Sequence, residues 1–328
     1  MTGESMRHHI LIYDKHNSII DYMLADLKSR DNVQLDYVIQ LNCGSSNRPV
    51  YFIKKLYGKI LWQLRKQIWY HGLKRQDGHV IITNEAMLGL DRKDIVRLQQ
   101  MGKRVIGLFI DPLKADYLTI SRAKDAMDLF DAVYTFDPLD ATQFGLQYTN
   151  QLYSPIKPAD SKAKAESDLY YIGHVKGRKA FIESLIKNGR ENGASLDIQL
   201  AGPGEQVKSI PGVKYLAERK PYECIISDLL SSRCILDITQ EGQAGITLRY
   251  YEAVVYNKKL ITNNEYITNL PYYDKRFMRI YHSIDDFDWG WIQDTECPDY
   301  HYAGDFSPVH LMERIDSADM GPARIEGR

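Results

Sequence analysis

Residues 241–264 read EGQAGITLRYYEAVVYNKKLITNN. The strand-like run CILDIT, 234–239, comes just before them, and KKLITN, 258–263, closes the segment. A glycine-bearing loop carries the chain from the first apolar run into a helical pattern over Ile246–Tyr256, and the second apolar run follows at once. Strand, helix, strand in this spacing is the signature of a parallel βαβ unit. The start of such a helix offers free backbone N–H groups and the positive end of its dipole, which together favour an anion. Gly245 lets the backbone approach a ligand, Thr247 adds a hydroxyl and Arg249 a charge. Glu252 lies five residues beyond Thr247, about 7.5 Å along a helix. That is close to the span from a nucleotide's diphosphate to its ribose diol, and a carboxylate can accept from two vicinal hydroxyls. The plainer alternative makes Glu252 a solvated helix residue and Gly245 an ordinary loop glycine.

Outward from this segment the same alternation recurs. In the second half DLYYIG, SLDIQLAG and GVKYL read as strands, with a helix over Arg178–Asn188 and another after KPYEC. In the first half HHILIYD, VQLDYVIQ, HVIITN, KRVIGLFIDP and DAVYTFDP are strand-like, with helical patterns between several of them. Between the halves, YSPIKPADSKAKAES lacks periodicity and reads as a linker. The expected organisation is an N-terminal Rossmann-like domain over 1–153, a linker over 154–167, a second such domain over 168–318, and a tail over 319–328 ending in a tetrapeptide like a protease recognition site. The fold class expected is α/β, with two Rossmann-like doubly wound domains facing a cleft.

The chain has 328 residues, 44% hydrophobic and 26% charged, with a formal net charge of −1. That balance suits two globular cores and gives no global field for nucleic acid or membrane. Neither a secretory leader nor an apolar run long enough to span a bilayer is apparent, so a cytoplasmic protein is expected. Four scattered cysteines lack metal-ligand spacing and read as reduced, mostly buried thiols.

In open α/β sheets, ligands sit beyond the carboxyl ends of the strands. That rule selects Asp14, Asn84, Asp111 and Asp137 in the first half, and the glycine loops and Asn263–Asn264 in the second. Asp111 follows VIGLFI and precedes Pro112, so it is a candidate general base, or else a cap for the following segment. Asp14, with His16 close behind, is its rival. Asp137, before Pro138, reads as a helix cap. The Asp286–Asp288 pair reads as the capped start of a helix rather than a metal site, and no metal ligand set is expected.

With FDPLDA at 136–141, DLYYIGHVKGRKAFIESL at 168–185 and GITLRYYEAVVYNKKLITNN at 245–264, the chain resembles bacterial GT-B glycosyltransferases of capsule and lipopolysaccharide synthesis, including CgeB-like proteins. The resemblance implies a nucleotide-sugar donor in the second domain and a saccharide or lipid-linked acceptor at the first. By position it implies ribose at Glu252 and phosphates at Thr247 and the amides after Gly245. Gly173 and Arg178 would line the diphosphate, and Gly202, Gly204 and Tyr222 would lie near the base. GT-B enzymes usually work without a bound metal. Retaining members often carry an acid eight positions before the ribose glutamate; here that position is Ala244, which favours inversion. A nucleotide-sugar epimerase of the same fold and a two-domain sugar-binding protein are the alternatives.

One further stretch stands apart. No acidic residue occurs from Tyr37 to Gln76, while lysines and arginines crowd its second part. As a helix it sets Ile53, Leu56, Tyr57, Ile60, Leu64 and Ile68 on one stripe, and Lys55, Lys59, Trp62, Lys66 and Trp69 on the opposite face, with Arg65 on the flank. Two readings follow, both with the apolar stripe packed inward: the basic side is simply solvated, or the cation and tryptophan face contacts an anionic membrane surface through residues 50–75. Single-stranded nucleic acid could use the same pairing, but no RNA-binding fingerprint accompanies it and no nucleic-acid partner is expected.

Overall fold

The computed structural model describes residues 7–12, 18–38, 48–74, 78–114, 118–156, 167–175, 177–202, 207, 209–218, 220–239 and 245–317. Asp14, His16, Cys43, Gly204, Glu241 to Ala244 and the tail from 318 lie outside them. Two compact units are present. The first comprises the described residues up to Ser154 together with 306–317; the second comprises those of Pro155–Asp305.

The first unit is built from β1 (Arg7–Ile12), α1 (Ser18–Met23), β2 (Val33–Tyr37), α2 (Arg48–Leu73), β3 (Gly78–Thr83), α3 (Arg92–Gln100), β4 (Arg104–Phe109), α4 (Leu118–Asp125), β5 (Ala132–Thr135), α5 (Pro138–Phe144) and β6 (Gln147–Tyr148). Its six strands are all parallel, in the order β2-β1-β3-β4-β5-β6. Near-continuous apolar runs such as Val80–Ile82 and Val105–Ile106 are fully buried, as expected of strands covered on both faces. Helix starts follow local chemistry. Asp91 and Asp94 form a reciprocal capping box on α3, and Asp137 caps α5 by accepting from the Leu139 and Asp140 amides, as its Asp-Pro pair predicts.

The second unit contains β7 (Ser167–His174), α6 (Lys179–Glu191), β8 (Leu196–Ala201), β9 (Val213–Leu216), α7 (Tyr222–Leu230), β10 (Ser232–Asp237), α8 (Leu248–Val255), β11 (Lys259–Thr262), β12 (Met278–Ile280) and α9 (Trp289–Gln293). Its sheet is again parallel, ordered β12-β11-β10-β7-β8-β9. The core gathers Leu169, Ile182, Leu185, Ile198, Leu200, Leu236 and Ile261, all buried. Asp288 caps α9 by accepting from the Trp291 amide and pairs with Arg279, while Asp286 accepts from the His282 and Ser283 amides; both carboxylates are therefore capping groups.

Two expectations are corrected. The second domain ends near Asp305 rather than at 318, because the last helix, α10 (Pro308–Asp316), belongs to the first unit. Ser307 Oγ donates to Asp26 at 2.6 Å, Arg314 to the Tyr148 carbonyl at 3.1 Å, and the Tyr153 amide to the Phe306 carbonyl at 2.9 Å. Of the cysteines described, all free, Cys234 is buried but Cys224 and Cys297 are exposed.

The larger correction concerns α2, whose faces are reversed. Trp62, Lys66, Tyr70 and Leu73 are buried, whereas Leu56, Tyr57, Ile60, Leu64 and Ile68 are between 51% and 73% exposed. Hydrogen bonds decide the register. Trp62 Nε1 donates to the Gly89 carbonyl at 2.6 Å and Trp69 Nε1 to Asp36 at 2.7 Å. Asp94 accepts from Lys66 Nζ at 2.8 Å and from the Tyr70 hydroxyl at 2.7 Å. A buried carboxylate, once present, needs its partners, and only this face of the helix supplies them.

Candidate functional site

In the second unit the chain runs outward from β7 through β8 to β9, then returns to the other side of β7 and continues through β10, β11 and β12. The direction of winding therefore changes between β7 and β10, and the crevice beyond the carboxyl ends of those two strands is where an open α/β sheet receives its ligand. Arg178 sits at that place. It is the residue before α6, and its guanidinium donates to the Ile238 carbonyl at 2.8 Å just past β10, and to the Tyr171 hydroxyl at 3.3 Å and the His174 carbonyl at 3.4 Å on β7. The side chain is only partly buried, so a planar cation is fixed across the crevice with part of its surface open.

Gly173 serves this arrangement in a way different from that expected. A Cβ there would lie 2.4 Å from the Tyr171 hydroxyl, so the glycine makes room for the phenol that receives Arg178. Gly202, after β8, holds φ +151, and a Cβ would press within 2.8 Å of Val175; both facts require glycine.

The opening segment lies beside the same crevice. Gly245 is buried, and its carbonyl accepts from Asn264 Nδ2 at 3.4 Å, which ties the start of α8 to the end of β11. Thr247 is the N-cap of α8, with Oγ1 accepting from the Arg249 amide at 3.2 Å. The Thr247 hydroxyl is also hydrogen-bonded to Asp237, the last residue of β10. A hydroxyl has one proton to give, and with Asp237 engaged Thr247 has none for a phosphate in this arrangement.

Asp237 was not singled out from sequence, though an acid inside the apolar run CILDIT was a readable sign. It is buried, and burial pushes its carboxyl upward; the Thr262 hydroxyl at 2.9 Å, the Thr247 hydroxyl, and the charges of Arg249 and Arg178 pull the other way. Next to it Asn263 Oδ1 accepts from the Thr239 amide at 2.7 Å and from its hydroxyl at 2.9 Å. The polar residues at the ends of β10 and β11 thus hold one another in fixed positions.

Glu252 is wholly buried, and its carboxylate is closed over. Oε1 accepts from the Tyr222 hydroxyl at 2.6 Å, and Oε2 forms an ion pair with Arg249 one helical turn back. Burial acts against the charge of Arg249, but Glu252, Tyr170, Tyr222 and Asp237 around it hold its pKa above the ordinary value. Tyr170, fully buried nearby, has a hydroxyl with no hydrogen-bond partner among the described residues, and burial raises its pKa. Tyr222, Arg249 and Glu252, expected around one nucleotide, are brought together, but as a buried structural triad and not as an open ribose site. A ribose would reach Glu252 only after Tyr222 and Arg249 had swung away.

In the first unit the winding changes between β1 and β3. Asn84, directly after β3, donates from Nδ2 to Asp111 at 2.9 Å, and its Oδ1 accepts from the Ile110 amide at 2.8 Å. Asp111 is partly buried; burial raises its pKa and the Asn84 hydrogen bond lowers it. A carboxylate held by one amide and made more basic by burial has the character a proton acceptor needs.

No family model matches the chain, and no curated protein does. Solved structures do match. Anabaena HepE in complex with UDP is similar at 11% identity and a TM-score of 0.58, over 94% of this chain and 98% of that one. A putative UDP-N-acetylglucosamine 2-epimerase from Listeria monocytogenes is similar at 8% identity and a TM-score of 0.53, over 95% and 96%. At such identities the likeness is one of fold. The two-unit parallel-sheet α/β fold expected from the GT-B resemblance is the fold this chain shares with them.

Proposed function

We propose that this protein is a glycosyltransferase that moves a sugar from a nucleoside-diphosphate donor, held by the second unit, to a saccharide or lipid-linked acceptor in bacterial surface polysaccharide synthesis. The observation that carries the donor site is Arg178, fixed across the β7–β10 crevice beside the glycine-led start of α8. A guanidinium and free helix amides are the groups a departing diphosphate needs. The fold neighbour that holds UDP supports a uridine nucleotide as the first donor to try.

In the inverting direct displacement proposed, a carboxylate takes the proton of the acceptor hydroxyl while that oxygen attacks the anomeric carbon, and Asp111 is the candidate that the first unit offers for that role. The bond from that carbon to the diphosphate oxygen breaks, and the nucleoside diphosphate leaves with the electron pair, its charge met by Arg178. This scheme uses no metal ion. Asp14 is the alternative base and lies outside the described residues, as does Gly204 near the proposed base pocket. Gly173 and Gly202 enter the proposal as shapers of the crevice, Gly245 as the turn before the amides that would meet the phosphates, and Thr247, Arg249, Tyr222 and Glu252 as its supporting wall. Ribose contact by Glu252 is retained only as an exchange in which the diol replaces Tyr222 and Arg249. A working place at the inner face of the cytoplasmic membrane belongs to the same proposal.

The Listeria neighbour favours a second reading, a nucleotide-sugar epimerase acting without an acceptor. One experiment separates them. The protein is incubated with UDP-sugars with and without membrane extract, and the products are followed by chromatography. Transfer only in the presence of extract supports the transferase; conversion to an epimeric UDP-sugar without extract supports the epimerase. Neither product from any UDP-, GDP- or TDP-sugar contradicts both.

A further inference from the structure

The reversed helix α2 leaves a stripe with no place in the unit's own core. Leu56, Ile60, Leu64 and Ile68 recur every four residues, with Tyr57 beside Leu56, and all five are more than half exposed. Scattered exposed leucines need no explanation, but five large apolar side chains in one line along a helix do. The helix cannot turn to bury them, because Trp62, Lys66, Trp69 and Tyr70 on the other face are bound to Gly89, Asp94 and Asp36.

The charges of the segment say what covers the stripe. The chain from Tyr37 to Gln76 has no acidic residue, while Arg48, Lys54, Lys55, Lys59, Arg65 and Lys66 lie on α2 and Lys74 and Arg75 follow it. Of these, Lys66 is neutralised inside by Asp94. Arg65 and Lys74 are exposed. A second copy laid on the stripe would bring this cationic helix against itself. Along one side the stripe continues into a groove of about 790 Å³ whose walls carry Ile60, Leu64 and Met87 and charges of both signs, Arg92 and Arg122 against Asp91 and Asp125, so the cationic character belongs to the helix and not to the groove. Among the described residues no helix is long and apolar enough to cross a membrane. An exposed apolar stripe beside the exposed Arg65 and Lys74 is the pattern of a helix that lies on one.

We propose that α2 docks in plane on an anionic lipid bilayer, its Leu56–Ile60–Leu64–Ile68 stripe entering the acyl boundary and its exposed Arg65 and Lys74 meeting the headgroups. This deepens the membrane part of the function proposed above, and assigns the contact to the apolar stripe in place of the tryptophan face. It stands apart from the donor chemistry.

The test is co-sedimentation of the full chain with phosphatidylcholine vesicles carrying phosphatidylglycerol, against phosphatidylcholine alone. The expected result is binding that depends on the anionic lipid, weakens with salt, and falls by about tenfold or more in the triple variant Ile60→Ser, Leu64→Ser, Ile68→Ser. These positions are exposed, so the variant should keep the parent's circular dichroism and melting temperature. Arg65→Gln with Lys74→Gln should weaken binding to the anionic vesicles while leaving the fold unchanged. Equal binding by parent and triple variant overturns the proposal, as does absence of parent binding. So does a parent dimer in sedimentation equilibrium that the triple variant abolishes, since the stripe would then belong to a second copy. Nucleotide binding measured on the same samples reports the donor site separately: its loss would count against the transferase reading and leave the lipid result standing.

Discussion

Arg178, Glu252 and Asp111 carry the account, each for a different physical reason. Arg178 bridges two strands through carbonyl and phenol oxygens and keeps part of its cation open. Arg178→Ala should weaken UDP binding by about tenfold or more, in the range for a hydrogen bond to a charged group, as isothermal titration would show. Glu252 is a buried partner first. Glu252→Ala leaves Arg249 buried without its counter-charge and should cost about 3–5 kcal/mol in urea unfolding, while Glu252→Gln, which still accepts from Tyr222, should cost less. If the ribose exchange occurs, Glu252→Gln should also weaken UDP while sparing inorganic pyrophosphate; equal UDP affinity in Glu252→Gln and parent removes that role. For Asp111 the sign follows from its surroundings. Burial raises its pKa and Asn84 lowers it, with burial the larger effect, so the base is ionised, and transfer fast, only above a pKa raised from the ordinary aspartate value. Asn84→Ala removes the lowering bond, and the acid limb of the kcat/KM profile should move to higher pH. An unmoved limb would show that Asp111 is not the group titrating. At this scale the sequence showed which residues stand at strand ends, because that follows from periodicity. It did not show that the Glu252 carboxylate is closed over: the three-residue spacing of Arg249 and Glu252 was readable as a helical pair, but the thirty residues between Tyr222 and Glu252 leave no local pattern.

At the scale of elements, the strands were legible and the helix faces less so. Parallel strands buried on both sides are continuous apolar runs, and β3, β4, β7 and β10 all read that way. The caps at Asp137 and Asp288 followed from an Asp placed just before its helix. For α2 the apolar stripe was assigned to the core by the usual rule of amphipathicity, and the rule failed because Asp94 and Asp36, far away in sequence, recruit the polar tips of the other face. Lys66, Tyr70 and Asp94 form a buried cluster in which Asp94 also completes the α3 capping box. Asp94→Ala should therefore destabilise the first unit by about 3–5 kcal/mol in chemical denaturation, since it strands a buried ammonium and removes a cap. A cost below about 1 kcal/mol, the level of an exposed ion pair, would show that the cluster does not fix the helix.

At the scale of the molecule, two α/β units were expected and are present, but the chain does not divide in sequence order. The return of the chain at Phe306 to the first unit was invisible to composition, because α10 (Pro308–Asp316) is amphipathic and would suit either core. Removing residues 306–317 should loosen the first unit: amide exchange around Asp26, which receives Ser307, should quicken by about tenfold or more, while strands β7 to β12 keep their protection. The central claim is that the second unit takes a nucleoside diphosphate at the β7–β10 crevice. The most direct measurement is the melting temperature of the full chain and of Arg178→Ala across a titration of UDP. A ligand bound only by the folded state stabilises it in proportion to the logarithm of its concentration. The account predicts a melting temperature that climbs with UDP in the parent and climbs much less in Arg178→Ala. A parent melting temperature that stays flat with UDP, GDP and TDP alike, or an equal climb in both proteins, would contradict it.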